Sequence, residues 1–386
     1  MKLFTKIKNI YISIYKLGLN SVYKGACLLR KTDENKMVIA LYRTNYLDDN
    51  LKLVYKEVQK QAPHIKIHLI QGTNKMNLKL FIEILVFSNA RYLIIDDYFL
   101  PIYLITPHKK LKVIQLWHAA GAFKKFGHST IGSRFGPQAS YLKLVPVHAN
   151  YNFVYISARK FTKYYAEAFN MDSRRIFNLG LPRLDMITNE ELHLKIISKM
   201  YKKYSFLKDK GMINILMAPT YRAKGSQGET GIDLVDTILQ IAKRMDINKR
   251  IILKPHPYMS VSSLEKIRNC RNVFIADSSG INEWMLVVDA FITDYSSAIF
   301  EFSLLKKPMA HFVPDYDEYV NSRGFYTCIE ENSDATVLKD ITELANWINS
   351  RQKDESFDSS RMIAFNFDYI EDATTRIVSH FLSNEK

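Results

Sequence analysis

Short apolar runs alternate with longer amphipathic stretches along most of the chain. Met37 to Leu41 (MVIAL), Ile65 to Ile70, Arg91 to Asp97 (RYLIIDD), Lys112 to Trp117 (KVIQLW), Phe153 to Ser157 and Ile176 to Leu179 read as buried strands. Between them, Asn45 to Gln61, Lys75 to Phe87 and Lys160 to Phe169 carry apolar residues at helical spacing. The charged helical stretch Glu190 to Leu207 marks a crossover, and the rhythm then restarts. Strands are expected at Ile213 to Ala218, Arg250 to Lys254, Val273 to Ala276, Ala290 to Thr293 and Ala310 to Val313. Helices are expected at Asp233 to Met245, Ile281 to Val288, Ala298 to Leu305, Ala335 to Arg351 and Arg361 to Asn384. Strands alternating with helices predict parallel sheets. At 386 residues the chain is too long for one comfortable core, so two α/β domains are expected.

In such sheets ligands gather beyond the carboxyl ends of the strands. The segment Val287 to Tyr319 shows why. It opens apolar, breaks at Asp294-Tyr295-Ser296-Ser297, and resumes as a helix. The turn sets Ser296 and Ser297 at a helix start, where unpaired backbone N–H groups and the positive dipole end favour an anion. Two hydroxyls there suit a phosphate, although a serine at that point can equally be a plain cap.

Charge sharpens this picture. The formal net charge is +15, which suits anionic partners. No nucleic-acid signature accompanies it. The three cysteines, Cys27, Cys270 and Cys328, form neither a metal quartet nor a disulfide framework, as expected of a reducing cytoplasm. No uncharged apolar run is long enough to span a bilayer, and no secretory signal is apparent. Met1 to Arg30 instead interleaves Leu, Ile, Phe and Tyr with Lys and Arg. It reads either as a helix lying in an anionic membrane interface or as one packed on its own domain.

Candidate chemistry sits at strand ends. His118 follows a strand and precedes Ala119-Ala120-Gly121-Ala122, whose small side chains let a substrate or backbone approach. A histidine there can be a general base or a structural hydrogen-bonding group. His256 lies between Pro255 and Pro257 after Lys254, as a phosphate clamp or a plain turn. Arg183 in Gly-Leu-Pro-Arg and Arg222 in Pro-Thr-Tyr-Arg can bind phosphate bidentately or pair at the surface. Asp294 can cap a helix or orient a histidine. Asp96-Asp97 lack companions at metal spacing. No Walker A, Gly-x-Gly-x-x-Gly or Gly-x-Ser-x-Gly pattern is present, which argues against simple kinase, dehydrogenase and hydrolase readings. What remains is an enzyme binding a phosphorylated, nucleotide-linked donor.

Five motifs occur in order: QLWHAAGAFKKFG (Gln115 to Gly127), LGLPRLD (Leu179 to Asp185), MAPTYR (Met217 to Arg222), LKPHP (Leu253 to Pro257) and ITDYSSAIFEFSLLKKP (Ile292 to Pro308). Together they resemble the CDP-glycerol glycerophosphotransferase family of teichoic acid synthesis, over roughly Tyr92 to Gly324. The resemblance implies a GT-B architecture, two Rossmann-like domains facing a central cleft. The expected layout is a membrane-associating segment (1–30), an acceptor domain (31–190), a CDP-alditol donor domain (191–360) and a C-terminal helix (361–386). It further implies transfer of glycerol phosphate, or ribitol phosphate in relatives, from a CDP-alditol to a hydroxyl on an undecaprenyl-diphosphate-linked acceptor, releasing CMP; no cofactor and no metal-binding residue is expected. His118 would be the general base and His256 would contact the transferred phosphate. Asp294, Ser296, Ser297, Lys254 and Arg222 would lie at the donor, with Gly121 and Arg183 at the acceptor or a phosphate. The enzyme would work peripherally on the anionic cytoplasmic leaflet.

Polymerases of that family carry His-Gly-Thr-Pro-Leu-Lys where this chain has His-Ala-Ala-Gly-Ala-Phe-Lys, a variant that looks like the primase branch. A polymerase, a GT-B nucleotide-sugar glycosyltransferase and a non-catalytic scaffold with structural histidines are the alternatives.

Overall fold

The computed structural model describes residues 2–42, 44–72, 74–133, 136–220, 233–255, 261–277 and 279–384. The chain divides into two compact units, and it passes between them more than once. Unit 1 comprises Met1–His118, Lys125–Arg183 and Asp368–Lys386. Unit 2 comprises Ala119–Lys124 and Leu184–Phe367.

Unit 1 is built on β1 (Asp33–Leu41), β2 (Lys66–Gln71), β3 (Ala90–Ile95), β4 (Lys112–Gln115), β5 (Phe153–Tyr155) and β6 (Ile176–Phe177). They pair in the order β2-β1-β3-β4-β5-β6, every pair parallel. Unit 2 is built on β7 (Ile213–Met217), β8 (Lys249–Leu253), β9 (Val273–Ile275), β10 (Ala290–Thr293), β11 (Met309–Phe312) and β12 (Thr336–Leu338). Their order is β12-β11-β10-β7-β8-β9, again all parallel. Parallel strands need helical crossovers that cover the sheet, which is why β4, β7 and β10 are buried along their whole length. The α/β reading and its strand positions therefore agree with the structure.

Two helical expectations do not. Ala335 to Arg351 is a strand followed by a helix. Thr336 and Val337 extend the sheet beside β11, and the helix begins only at Ile341. The Asp340 carboxylate caps it, accepting from the Thr342 N–H at 2.7 Å and the Glu343 N–H at 2.9 Å. The stretch 361–384 is likewise two helices, Ser360–Asn366 and Ala373–Ser383, and the chain changes unit between them. The second helix buries Ile377, Val378 and Phe381 among Val54, Val58, Ile94 and Tyr155 of unit 1. Gly180 permits that packing. Its φ is +89°, and a Cβ there would lie 3.0 Å from Ala373 Cβ.

The N-terminal helix Lys2–Leu29 packs on its own domain along one face and leaves the other open. Ile12, Leu19, Tyr23 and Ala26 form a buried inner stripe. Tyr15 Oη donates to the Asn77 carbonyl at 2.6 Å and Lys16 Nζ to the Leu144 carbonyl at 2.8 Å. The outer stripe Ile7, Ile10, Ile14 and Leu17 is open, Leu17 being 69% exposed. On the helix Leu78–Phe87, which packs against it, Leu78 and Ile82 are also exposed.

Among the described residues, each unit carries one deeply buried histidine. His148 in unit 1 has its pKa pushed down to about 3 by burial, and His311 in unit 2 is pushed down to about 4 for the same reason. Both folded values lie below the ordinary histidine range, so the unfolded chain takes up protons first. The stabilisation is complete above about pH 6.5 and is lost as pH falls toward 4 and then 3. Each pKa unit corresponds to about 1.4 kcal/mol, so the denaturation midpoint is expected to drop by a few kcal/mol equivalent between pH 7 and 4.5. His148→Asn, which tolerates the left-handed backbone there (φ +65°) and does not titrate, is expected to give a shallower slope in chemical denaturation across that window. An unchanged slope would contradict this.

Candidate active site

In unit 1 the ends of β3 and β4 lie side by side, which brings Asp96 and Asp97 next to His118. The His118 ring is partly open, its side chain 25% exposed, and lies against the Trp117 indole. Nδ1 is 3.1 Å from the Asp96 backbone carbonyl and 3.9 Å from Asp97 Oδ1. A carbonyl can only accept, so the neutral ring carries its proton on Nδ1 and its lone pair on Nε2. The Asp97 carboxylate is placed to stabilise the imidazolium that forms when Nε2 takes a proton. This arrangement suits a general base.

The backbone that presents His118 is held unusually. Trp117 has φ +56°, a left-handed conformation that is costly for a bulky residue. Its N–H donates to Gln115 Oε1 at 2.9 Å, and its carbonyl accepts from Asn50 Nδ2 at 2.8 Å. Phe126 stacks on its ring and Phe169 meets it edge-on. Arg183, expected at a phosphate, is 5% exposed. Its Nη1 donates to the His118 carbonyl at 3.1 Å, its Nη2 pairs with Asp49 Oδ2 at 2.7 Å, and its N–H donates to Asn50 Oδ1 at 2.9 Å. These bonds set the Arg183 guanidinium behind the His118 backbone. Asp49 and Asn50, which open the helix Asp49–Gln61, were not singled out in the sequence, where they look like an ordinary acidic helix start.

In unit 2 the turn after β10 divides its four residues between anchoring and exposure. Asp294 is 2% exposed. Its Oδ1 accepts from the Thr220 N–H at 2.9 Å and the Tyr295 N–H at 2.6 Å, and its Oδ2 accepts from Thr220 Oγ1 at 2.7 Å. Asp294 therefore ties the turn after β10 to the segment after β7, a neighbouring strand, instead of presenting a free carboxylate. Tyr295 points inward, donating to Asp315 Oδ1 at 2.9 Å and stacking on Tyr319 at 3.7 Å. Ser296 and Ser297 are left half-buried at the start of the helix Ala298–Ser303. Ser296 Oγ accepts from the Ala298 N–H at 3.3 Å, the cap that the sequence allowed, while Ser297 makes no cap bond.

Lys254 directly follows β8, its Nζ donating to the Asp277 carbonyl. Burial holds its pKa below the ordinary lysine value, so a bound anion would be answered by an ammonium already short of solvent. Arg222 and His256 lie outside the described residues. The segments that lead to them, Thr220 and Lys254-Pro255, follow the neighbouring strands β7 and β8.

Gly121 belongs to a short strap, Ala119–Lys124, that packs within unit 2. Phe123 lies on Phe325 at 4.6 Å, and Lys124 makes an antiparallel bridge to Phe325. Gly121 has φ +66°, and a Cβ there would lie 2.8 Å from Asn366 Oδ1. Close packing and backbone conformation both demand glycine. Among the described residues no cluster of His, Cys, Asp and Glu is arranged to hold a metal.

Residues 22–379 match the family described as CDP-Glycerol:Poly(glycerophosphate) glycerophosphotransferase. The chain is 35% identical to the teichoic acid ribitol-phosphate primase of Bacillus spizizenii, covering 94% of each protein. It is 24% identical to the teichoic acid glycerol-phosphate primase of Bacillus subtilis, covering 84% of each. Among solved structures it is similar to the wall teichoic acid polymerase TagF in a variant soaked with CDPG, with a TM-score of 0.73 and 19% identity over 98% of each chain. That likeness carries the GT-B fold.

Proposed function

The chain belongs to the CDP-glycerol:poly(glycerophosphate) glycerophosphotransferase family, a transferase family of teichoic acid synthesis, and on that premise we propose that it is a primase. In this reading it moves one ribitol phosphate from CDP-ribitol to a hydroxyl of an undecaprenyl-diphosphate-linked saccharide and releases CMP. The observation that carries a transfer reaction is the His118 ring, whose Nδ1 lies 3.1 Å from the Asp96 carbonyl, the tautomer in which Nε2 bears the basic lone pair. Ribitol is favoured over glycerol by the ribitol-phosphate primase that matches along nearly its whole length. CDP-glycerol, the donor expected from the motifs, is the second reading.

The acceptor oxygen attacks the phosphorus bearing the alditol while His118 Nε2 removes the hydroxyl proton. The bond from that phosphorus to the bridging oxygen breaks, and CMP departs with the electron pair. Such a transfer is mostly positioning plus electrostatics. Ser296, Ser297 and Lys254 supply donors for the diphosphate. Arg222 and His256 act on the same group, His256 at the transferred phosphate. The test is CMP release from CDP-ribitol and from CDP-glycerol on a synthetic disaccharide-diphosphate lipid, with products weighed by mass spectrometry. One added unit supports a primase and a ladder a polymerase. No release with either donor overturns the reading.

The lipid acceptor gives the open stripe of the N-terminal helix a partner, the anionic inner leaflet. Among the described residues no helix is long and apolar enough to cross a membrane. The exposed Ile10, Ile14 and Leu17, beside Lys6, Lys8 and Lys24, instead suit shallow insertion among acidic headgroups. The triple variant Ile10→Asp, Ile14→Asp, Leu17→Asp is expected to lose binding to phosphatidylglycerol vesicles by about tenfold or more. Equal co-sedimentation of variant and wild type would remove the membrane from this reading.

A further inference from the structure

We propose that His311 is a positioning residue for the Asp294–Ser297 turn and thereby sets affinity for the CDP-alditol. The proposal rests on the reading above that this turn holds the donor's phosphates. His311 lies on β11, register-paired with Thr293 of β10, and is 0% exposed. A phenylalanine or leucine would fill that interior position without polar atoms to satisfy. The imidazole instead makes two directed contacts. Nδ1 is 2.6 Å from the Asp294 backbone carbonyl, and Nε2 is 2.9 Å from Ser333 Oγ.

Chemistry fixes the direction of both. The carbonyl accepts, so Nδ1 carries the proton. In the neutral ring Nε2 then accepts from the Ser333 hydroxyl. The Asp294 carbonyl and the Tyr295 N–H belong to one peptide group. His311 holds its oxygen, while the Asp294 carboxylate holds its N–H at 2.6 Å. Only the Tyr295–Ser296 peptide separates it from Ser296, so its plane helps set where the two serines and the helix N–H groups point. Ser333 Oγ also accepts from the Ala335 N–H at 3.2 Å, immediately before β12. The imidazole therefore buckles the anion-binding turn to the start of the last strand from beneath, without touching the donor.

Two amide side chains separate the contacts. Asparagine places its N–H where Nδ1 is and keeps the Asp294 bond. Glutamine reaches the Nε2 position and keeps only the Ser333 bond. Full-length wild type, His311→Asn, His311→Gln and Ser333→Ala would be compared in KM and kcat for the CDP-alditol, thermal midpoint, and amide hydrogen exchange across 290–303. His311→Gln is expected to raise donor KM about tenfold and to speed exchange from Tyr295 to Ala298. His311→Asn should stay within about twofold of wild type in both. Ser333→Ala should lower the thermal midpoint and leave KM unchanged. Equal behaviour of the Asn and Gln variants, or faster exchange with unchanged KM, overturns the proposal. If wild type uses neither CDP-ribitol nor CDP-glycerol, the transfer reading has failed by itself. The exchange data then still decide whether His311 holds the turn.

Discussion

His118→Ala is expected to slow alditol-phosphate transfer by about 10²–10⁴-fold while leaving CDP-alditol binding within about twofold, the range that loss of a positioned general base covers. The separation follows from where each group sits. His118 belongs to unit 1, where its ring meets the Asp96 carbonyl and its own carbonyl accepts from Arg183, whereas Ser296, Ser297 and Lys254 belong to unit 2. On the proposed function, removing the imidazole leaves the unit 2 phosphate contacts intact and deletes the atom that takes the acceptor's proton. Some catalysis should survive, because electrostatic stabilisation of the transferring phosphoryl group does not need His118. Asp97→Asn should have a smaller effect, on the order of tenfold, since Nδ1 keeps its bond to the Asp96 carbonyl at 3.1 Å and loses only the carboxylate 3.9 Å away. Steady-state CMP release with each alditol, alongside calorimetric donor titration, measures both quantities. A His118→Ala enzyme that releases CMP at the wild-type rate on the acceptor would remove His118 from the chemistry.

The parts legible in the sequence share one property: their cause is local. A buried parallel strand is an apolar run, and a residue following it lies at the sheet's carboxyl end wherever the strand is placed. His118 after KVIQLW and Asp294 to Ser297 after AFIT could be located in this way. The partners of these residues could not. Asp294 holds Thr220 across 74 positions only because β7 and β10 are neighbours, and strand order is not written in the apolar pattern. Arg183 reaches Asn50 across 133 positions for the same kind of reason. The misread helix 335–351 is a local error of another kind. Thr336-Val337-Leu338 is short, and the capping aspartate that separates it from the helix is legible only once Ile341 is recognised as the helix start. Gly121 shows the opposite limit. Its small size was noticed, but the sequence offered substrate access as the reason, and the structure supplies Asn366 and a left-handed backbone.

Arg183→Met is expected to destabilise unit 1 by about 3 kcal/mol and to lower kcat by roughly 10–100-fold with little change in donor KM. The guanidinium is almost fully enclosed and is shared between Asp49 and the carbonyl of His118. Truncating it leaves the Asp49 carboxylate without its cation and the His118 peptide without the donor that fixes it. Those two losses can be told apart. In the double variant Arg183→Met, Asp49→Asn the abandoned charge is gone, and asparagine accepts the left-handed backbone at that position (φ +45°). Most of the lost stability should return, because the cost of a broken buried pair lies mainly in the charge left behind. The rate should not return, since the Arg183 donor to the His118 carbonyl is still missing in the double variant. Arg183→Lys should fall between, its single ammonium being unable to reach both partners in the fork geometry of the arginine. Denaturant midpoints and single-turnover rates on the four proteins would decide the matter. Recovery of rate together with stability would reduce Arg183 to a structural ion pair, while recovery of stability alone would make it the residue that aims the base.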